Sequence, residues 1–482
     1  MDANIKLVLF SLVIYLTGMS AWSQTPTAEV HDPSEYLSGT LPVMYINTQD
    51  STPITSKINY IEGSYWLDAT GFEDRYESIG SREEPLPLQI RGRGNASWFR
   101  SEKKPYRVKL GKKAPLLGME ASKHFCLMAH ISGIYMADLS GFELSRRIGK
   151  PWTPEMRPVE LVLNGDYVGL YWITEQIRIA KKRVNITEQA NGEENPEAIT
   201  GGWLMEIDNM ADPNQFVIAD RSDSSALRTT WHSPDTLSPA QLDYIKQLVI
   251  TVDSLIYVPD KNNTEWERYI DIDELVRFYI VNEMVDNTES FSGSCFWYKD
   301  RGADAKIIFG PVWDFGSVYS HATNFIYCSP AGWSHQHWIG ELAKFNRFQQ
   351  HVRRVWQEVK DRQVYDMDQY YDSIMAEVRA AAGADLRRWP DLVPKNLDYI
   401  VNFYKTHLKA KCSWLDKMWG GEFTVYGDLN FDNVIDIEDV NQLINMVLGH
   451  TSNNRSADLN FDEAIDIEDI NILINRLLRK DT

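Results

Sequence analysis

The sequence is short of cysteine. Its 482 residues include four, Cys126, Cys295, Cys328 and Cys412. They are scattered and lack the close spacing of a thiolate metal site, so no zinc or iron–sulfur centre is indicated. One or two disulfides and buried free thiols are equally compatible with such a distribution, and both interpretations stay open.

Basic residues are also in deficit, with 49 Lys and Arg against 68 Asp and Glu and a formal net charge of −19. We therefore expect no nucleic-acid partner, because phosphate backbones are bound by clustered Lys and Arg. Residues 421–482 alone contain 13 acidic and 4 basic residues, which accounts for −9 of that charge. Carboxylates concentrated in this way indicate a hard cation rather than disorder.

Long apolar runs are absent beyond the N-terminal region. There, Lys6 precedes the mostly apolar stretch Leu7–Trp22, which ends at the small-x-small triplet Ala21–Ser23. This pattern predicts a signal peptide, residues 1–23, and export to a secreted or cell-surface location. A membrane anchor is the alternative, but the run is shorter than the roughly 20 residues of a spanning helix. We expect no transmembrane segment after signal cleavage.

The region from residue 24 to residue 420 is predicted to form one α+β domain. A β-hairpin is the strongest local signal, because Asn164-Gly165 suits a type I′ turn between the apolar segments Val159–Leu163 and Tyr167–Thr174. Ser238-Pro239 is the expected start of a helix. Further helices are expected over Asp273–Val285, Phe348–Val359 and Leu392–Leu415, and strands over Cys295–Lys299 and Lys306–Phe309.

An internal repeat occupies the last 62 residues. Asp428–Leu448 matches Asp458–Leu478 at 15 of 21 positions, with a period of 30. Each copy places oxygen-bearing side chains at loop positions 1, 3, 5, 9 and 12 and a backbone carbonyl at position 7, as a Ca²⁺ ion requires. An apolar stripe follows each loop, which predicts a loop and one amphipathic helix per copy. The expected calcium ligands are Asp428, Asn430, Asp432, Val434, Asp436 and Asp439, then Asp458, Asn460, Asp462, Ala464, Asp466 and Asp469.

These residues closely resemble dockerin type I domains. The resemblance implies a small all-α module over residues 421–482, two Ca²⁺ ions and docking onto a cohesin-like partner. One position departs from the usual loop: position 6, commonly Gly, is Asn433 in the first copy and Glu463 in the second. Asn tolerates the left-handed conformation better than Glu, so the second site is expected to be the weaker one.

Two stretches of the large domain carry residues that suit anion chemistry. A glycine-containing turn, residues 91–98, precedes the strand Lys103–Leu110, on which Arg107 and Lys109 share one face. Lys109 could hold an anionic ligand, or this could simply be a solvated basic face. Glu175 ends the hairpin, where it could pair with a lysine or lie on the surface.

The polar loop Asp286–Ser294 follows a predicted helix and precedes a short hairpin and the segment Gly310–Gly316, which contains Asp-Phe-Gly. Kinases present their phosphoryl-transfer groups in this order: one Asp positions the hydroxyl and another holds Mg²⁺. A lone Asp-Phe-Gly is weak evidence, but its place in this order strengthens it.

Several segments between Leu41 and Trp356 together resemble the spore-coat protein H (CotH) kinase family. The resemblance implies an atypical kinase-like domain with ATP and Mg²⁺ or Mn²⁺ as cofactors. By resemblance, Asp314 falls on the metal-binding Asp, and Arg93, Lys109 and Glu175 are candidates for nucleotide binding. The matching segments are Arg93–Asn95, Lys103–Lys109, Pro115–Met119, Val159–Gly165, Thr174–Glu175, Arg183–Ile186, Gly201–Asp208 and Trp313–Asp314.

Three positions depart from the family pattern. Glu289 occupies the position of the family's catalytic Asp, and Asp286 lies three residues earlier, so either carboxylate could be the base. In the family a second Asp often follows the metal-binding Asp, whereas this sequence has Gly316 at that position. The Arg-Asn pair that follows the Leu-Leu-Gly-Met segment appears as Ala137-Asp138.

Three functions are therefore compatible with the sequence. The first is phosphate transfer from ATP to a secreted or surface protein. The second is a non-catalytic binding or structural module, brought to a surface assembly by its dockerin. The third is an accessory role in polysaccharide degradation, which sixteen Trp and the dockerin favour although no glycosidase motif is present.

Overall fold

The structure is a computed structural model that describes residues 30–129, 131, 134–219, 226–316, 318, 323–324, 326, 337–420, 427, 429, 435–451, 457–459 and 464–479. The expected signal peptide lies outside the described residues. So do the expected calcium ligands Asp428, Asn430, Asp432, Val434, Asn460 and Asp462. Among the helices described, none is long and apolar enough to cross a membrane.

Seven strands close into a barrel in the order β1-β2-β3-β4-β5-β7-β6. Closure comes from β1 and β6, which pair in parallel, whereas the other neighbours are antiparallel. Tyr106, Val108 and Leu110 belong to the buried barrel core, while Arg107 and Lys109 lie on the outer face, as strand alternation predicts. The strands are β1 (Val43–Thr48), β2 (Ile61–Asp68), β3 (Leu86–Gly92), β4 (Tyr106–Ala114), β5 (Ser122–Ala129), β6 (Met156–Leu163) and β7 (Asp166–Glu175).

Five strands form a second sheet in the order β12-β11-β8-β10-β9. The expected hairpin is present in it, because β11 pairs antiparallel with β12 on one side and with β8 on the other. The strands are β8 (Trp203–Ile207), β9 (Gln215–Ala219), β10 (Ala226–Ser233), β11 (Cys295–Lys299) and β12 (Ile307–Phe309).

Helices cover this second sheet, and together they enclose the largest buried apolar cluster. The α+β class is confirmed. The helices of the large domain are α1 (Pro33–Tyr36), α2 (Ala96–Arg100), α3 (Ile134–Ile148), α4 (Pro239–Ile256), α5 (Ile272–Met284), α6 (His337–Leu342), α7 (Asn346–Asp361), α8 (Asp368–Arg388) and α9 (Leu397–Trp419).

Local signals in the sequence explain several of these boundaries. Asn164 and Gly165 both have positive φ, as a type I′ turn between β6 and β7 requires. Ser238 caps α4 in a capping box with Gln241. The prediction that α9 starts at Leu392 is wrong. The Asn396 side chain accepts a hydrogen bond from the Tyr399 amide and caps the helix, which therefore begins at Leu397.

The cysteine question is settled for three of the four residues. Cys126, Cys295 and Cys412 are buried free thiols, and Cys328 lies outside the described residues. Within the described part of the chain, buried thiols are therefore the correct interpretation.

Each repeat of the last module contributes one helix, α10 (Ile437–Val447) and α11 (Ile467–Arg479). Leu443 and Leu473, which occupy equivalent positions in the repeat, are fully buried in a shared apolar cluster. The expected amphipathic helix after each loop is thus present among the described residues.

Candidate functional site

The Asp-Phe-Gly segment follows β12. Phe315 is fully buried and packs edge-on against Phe142 of α3. It also lies against Gly141, where an added Cβ would come within 2.2 Å of the ring. Asp314 is exposed and has a φ of 60°, an uncommon backbone conformation that is enriched at functional sites. The buried phenylalanine therefore anchors the segment and leaves the Asp314 carboxylate accessible.

Two further hydrogen bonds fix this segment. The Phe315 amide donates to Asp138 Oδ1 on α3 at 3.1 Å. Asn287 Nδ2 donates to the Asp314 carbonyl at 3.2 Å and to Asn282 Oδ1 at 2.9 Å. The polar loop, α3 and the Asp-Phe-Gly segment thus meet at Asp314. Sequence reasoning missed Asn287, whose one signal was its place in the polar loop, and noted Asp138 only as a departure.

Arg93 reaches the same place from the barrel. Its guanidinium carbon lies 5.7 Å from the ring centroid of Trp313, and Nη1 lies 2.6 Å from Met128 Sδ. Burial, and then the negative charge of Asp314, raise the pKa of the Asp138 carboxyl to about 7, although Arg93 acts in the opposite direction. One cationic and two acidic side chains therefore share this site.

Asp286 is fully buried, and two side chains of α9 bind its carboxylate. Lys411 Nζ lies 2.7 Å from Oδ1, and His407 Nε2 lies 2.5 Å from Oδ2. Lys411 also contacts Glu283 at 2.6 Å. Burial by itself would lower the pKa of Lys411, but the two carboxylates outweigh it and raise that pKa. Asp286 thus holds the polar loop against α9.

Glu289, the other candidate base, is exposed three residues further along the same loop. Its carbonyl accepts the amides of Ser292 and Gly293, which forms a tight turn. Of the two carboxylates proposed as the base, Glu289 is the accessible one.

The two remaining candidates lie on different faces of the barrel: Lys109 on the outer face, and Glu175 in register with the core residue Phe125. Lys109 is exposed and pairs in register with His124 on β5. Glu175 is buried; its Oε1 lies 3.2 Å from Arg183 Nε, and its Oε2 accepts the Glu155 amide at 3.1 Å. The prediction of a lysine partner for Glu175 is therefore wrong, because Arg183, eight residues later in the chain, forms the ion pair with its carboxylate.

The residues near Asp314 fit a magnesium ion. Asp314 presents an accessible carboxylate, Asp138 lies beside it, and Mg²⁺ usually takes one or two carboxylates together with substrate phosphates. No group of three or more His, Cys, Asp or Glu able to hold a metal was found within the part of the chain that the structure describes. A site at Asp314 would therefore depend on phosphate oxygens to complete its ligand set.

The two acidic loops repeat one hydrogen-bond pattern. Asp439 Oδ1 accepts the Leu429 amide at 2.5 Å, and Oδ2 accepts the Asp436 amide at 2.9 Å. Asp469 does the same with the amides of Leu459, at 2.6 Å, and Asp466, at 2.9 Å. This pattern fixes the last loop position in both copies. The described ligand candidates, which include Asp458 and Ala464, offer only oxygen atoms and fit Ca²⁺.

Comparison with known families covers both regions. A family model described as CotH kinase protein matches residues 88–415, and one described as Dockerin type I domain matches residues 426–478. Both resemblances are thus confirmed. No curated protein matched the chain. Dockerin type I domains generally bind calcium and cohesin partners, and proteins that contain them are typically extracellular or on the cell surface.

Proposed function

Because the chain belongs to the CotH kinase protein family and also carries a dockerin type I domain, we propose that it is an exported atypical protein kinase. It would transfer phosphate from ATP to secreted or surface proteins while its dockerin is attached to a cohesin-like partner. The observation that carries the proposal is the convergence of the polar loop, α3 and the Asp-Phe-Gly segment on the accessible Asp314 carboxylate.

The side chains at this site have distinct proposed roles. Asp314 would hold Mg²⁺ or Mn²⁺, an ion that neutralises charge on the phosphates when it is bound. Glu289 would accept the proton of the substrate hydroxyl, because its carboxylate is accessible. Asp286 would position the loop through its ion pair with Lys411 rather than act as the base. Arg93 would contribute positive charge toward the phosphates.

Lys109 and Glu175 have weaker support as direct nucleotide ligands. Lys109 lies on the outer face of the barrel, where its ammonium group is accessible to an anion. Glu175 is engaged by Arg183 and by the Glu155 amide, so it would act by holding Arg183 in place.

Phosphoryl transfer tests the kinase proposal. The full-length protein would be incubated with Mg²⁺–ATP and the secreted proteins of its own source. Asp314→Ala should abolish labelling, and Glu289→Gln should slow labelling but leave nucleotide affinity unchanged, since it removes a base and not a metal ligand. Asp304→Ala, at an exposed position of the β11–β12 turn, is the matched control. Labelling that survives Asp314→Ala would refute the assignment of Asp314.

The dockerin proposal rests on two equivalent apolar faces. Large apolar side chains remain exposed on α10 and, thirty residues later, at the corresponding positions of α11. Each face could supply the apolar centre of a protein interface. The exposed side chains are Ile437, Ile444 and Leu448 in the first repeat and Ile467, Ile474 and Leu478 in the second.

Calcium-dependent binding to a purified cohesin domain tests this part. Since the two faces are equivalent, Ile444→Asp and Ile474→Asp should each leave one face intact, and the double variant should lose binding. Undiminished binding by the double variant would show that these faces are not the docking surface.

A further inference from the structure

A cavity of about 300 Å³ lies between the β4–β5 hairpin and the chain that follows β7. Residues 120–124 line one side and residues 178–183 the other. Its volume is at the lower end of the range of small-ligand pockets. None of the described lining residues belongs to the Asp314 site. On β5, His124 in the cavity wall and Met128, which contacts Arg93, are four residues apart, a backbone distance of about 13 Å.

The lining is strongly cationic in a chain whose net charge is −19. Glu120 is the one carboxylate among the described lining residues, and it contacts Lys182 at 2.8 Å in an exposed ion pair. Burial and the nearby positive charges, Arg178 first among them, lower the pKa of His124 to about 4. The basic side chains that line the cavity are Lys113, Lys123, Arg178, Lys181, Lys182 and Arg183.

Arg183 places a buried, fixed positive charge in the cavity wall. It is 4% exposed, and its Nη1 donates to the carbonyls of Gln176 at 2.7 Å and His124 at 3.2 Å. Its Nε faces Glu175, so the side chain is fixed from behind. Nη2 is buried and has no hydrogen-bond partner among the residues that the structure describes. An anion in the cavity would be attracted by this fixed guanidinium charge.

We propose that this cavity binds the anionic group of a phosphate or sulfate monoester, held by Arg183, Arg178 and the adjacent lysines. None of the described lining residues is Phe, Tyr or Trp, whereas six of them are Lys or Arg. The lining therefore recognises the charged group itself. The proposal does not depend on kinase activity at Asp314.

Calorimetric titration of the full-length protein with inorganic phosphate, and separately with sulfate, tests the proposal. Arg178→Gln and Lys123→Gln should each weaken binding roughly tenfold, the effect of losing one charge-assisted hydrogen bond. Glu120→Gln should tighten binding severalfold, because it removes the carboxylate that competes for Lys182. Lys112→Gln, at an exposed position of β4 that is not part of the lining, is the matched control and should change nothing.

Asp314→Ala separates the cavity from the proposed nucleotide site and should leave the affinity for phosphate unchanged. Titration with O-phosphoserine and with glucose 6-sulfate then identifies the source of the anion. Tighter binding of the first supports a phosphorylated peptide, and tighter binding of the second supports a sulfated sugar. The proposal is overturned if neither phosphate nor sulfate binds, if Lys112→Gln weakens binding as much as Arg178→Gln, or if Asp314→Ala abolishes it.

Discussion

Replacement of Lys411 by methionine should strongly destabilise the large domain. Lys411 contacts Glu283 at 2.6 Å and Asp286 at 2.7 Å, and all three side chains are fully buried. Removing one partner of a buried ion pair typically costs about 3–5 kcal/mol, because the other charge stays buried without compensation. Lys411 faces both carboxylates, and His407 still contacts Asp286 after the substitution, so the cost should lie within that range.

Unfolding measured by calorimetry at neutral pH tests this expectation. The pKa of Lys411 is higher in the folded protein than in the unfolded chain. The stabilisation by its charge is therefore complete at pH values below the unfolded-state pKa, and it is lost only as the pH rises through the folded-state pKa. A loss of that size should lower Tm by roughly 5–10 °C in a domain this large.

Lys409→Met is the matched control, because Lys409 lies on the same helix in an exposed ion pair with Asp368. Exposed pairs contribute at most about 1 kcal/mol, so its effect should be small. The double variant Lys411→Met/Glu283→Gln should recover part of the loss, since one buried charge is removed with its partner. If Lys411→Met were no more destabilising than Lys409→Met, the structural role given to this cluster would be wrong.

Three further predictions concern calcium and pH. The segment of residues 421–482 should lose helical circular dichroism when EDTA removes Ca²⁺, because the loop carboxylates then repel one another; unchanged helicity would contradict this. Asp428→Ala should reduce calorimetric calcium affinity more than Asp458→Ala, since Glu at loop position 6 tolerates a left-handed conformation less well than Asn; the opposite ranking would refute the argument. The pKa of His124 is about 4 in the folded protein, against an ordinary value of 6.5. As the pH drops from about 6.5 to about 4, the imidazole is protonated in the unfolded chain but not in the folded protein, so the free energy of unfolding falls. His124→Gln should therefore lose less thermal stability than the wild type over that interval, and equal losses would count against the cationic environment described for His124.

Features encoded by neighbouring residues were predictable from the sequence. The Asn164-Gly165 turn fixes the β6–β7 hairpin through its two positive φ angles, and Ser238 with Gln241 fixes the start of α4. The exposed and buried positions of α10 and α11 follow the 30-residue repeat in the same way.

Features that depend on distant partners were not predictable. Nothing near Asp286 in the sequence indicates that His407, 121 residues later, binds its carboxylate. The parallel pairing of β1 with β6 likewise joins segments more than a hundred residues apart. Glu175 shows the same limit at short range, because whether it pairs with a lysine or with Arg183 depends on how the chain turns after β7.

Binding of Mg²⁺–ATP tests the central claim most directly. Thermal unfolding of the full-length protein would be recorded with and without millimolar Mg²⁺–ATP or Mn²⁺–ATP, alongside Asp314→Ala and the control Asp304→Ala. We expect the nucleotide to raise Tm in the wild type and in Asp304→Ala but not in Asp314→Ala, because a ligand that binds only the folded state stabilises it. If neither nucleotide complex raises the Tm of the wild type, the kinase proposal is contradicted and the large domain is better explained as a non-catalytic binding module.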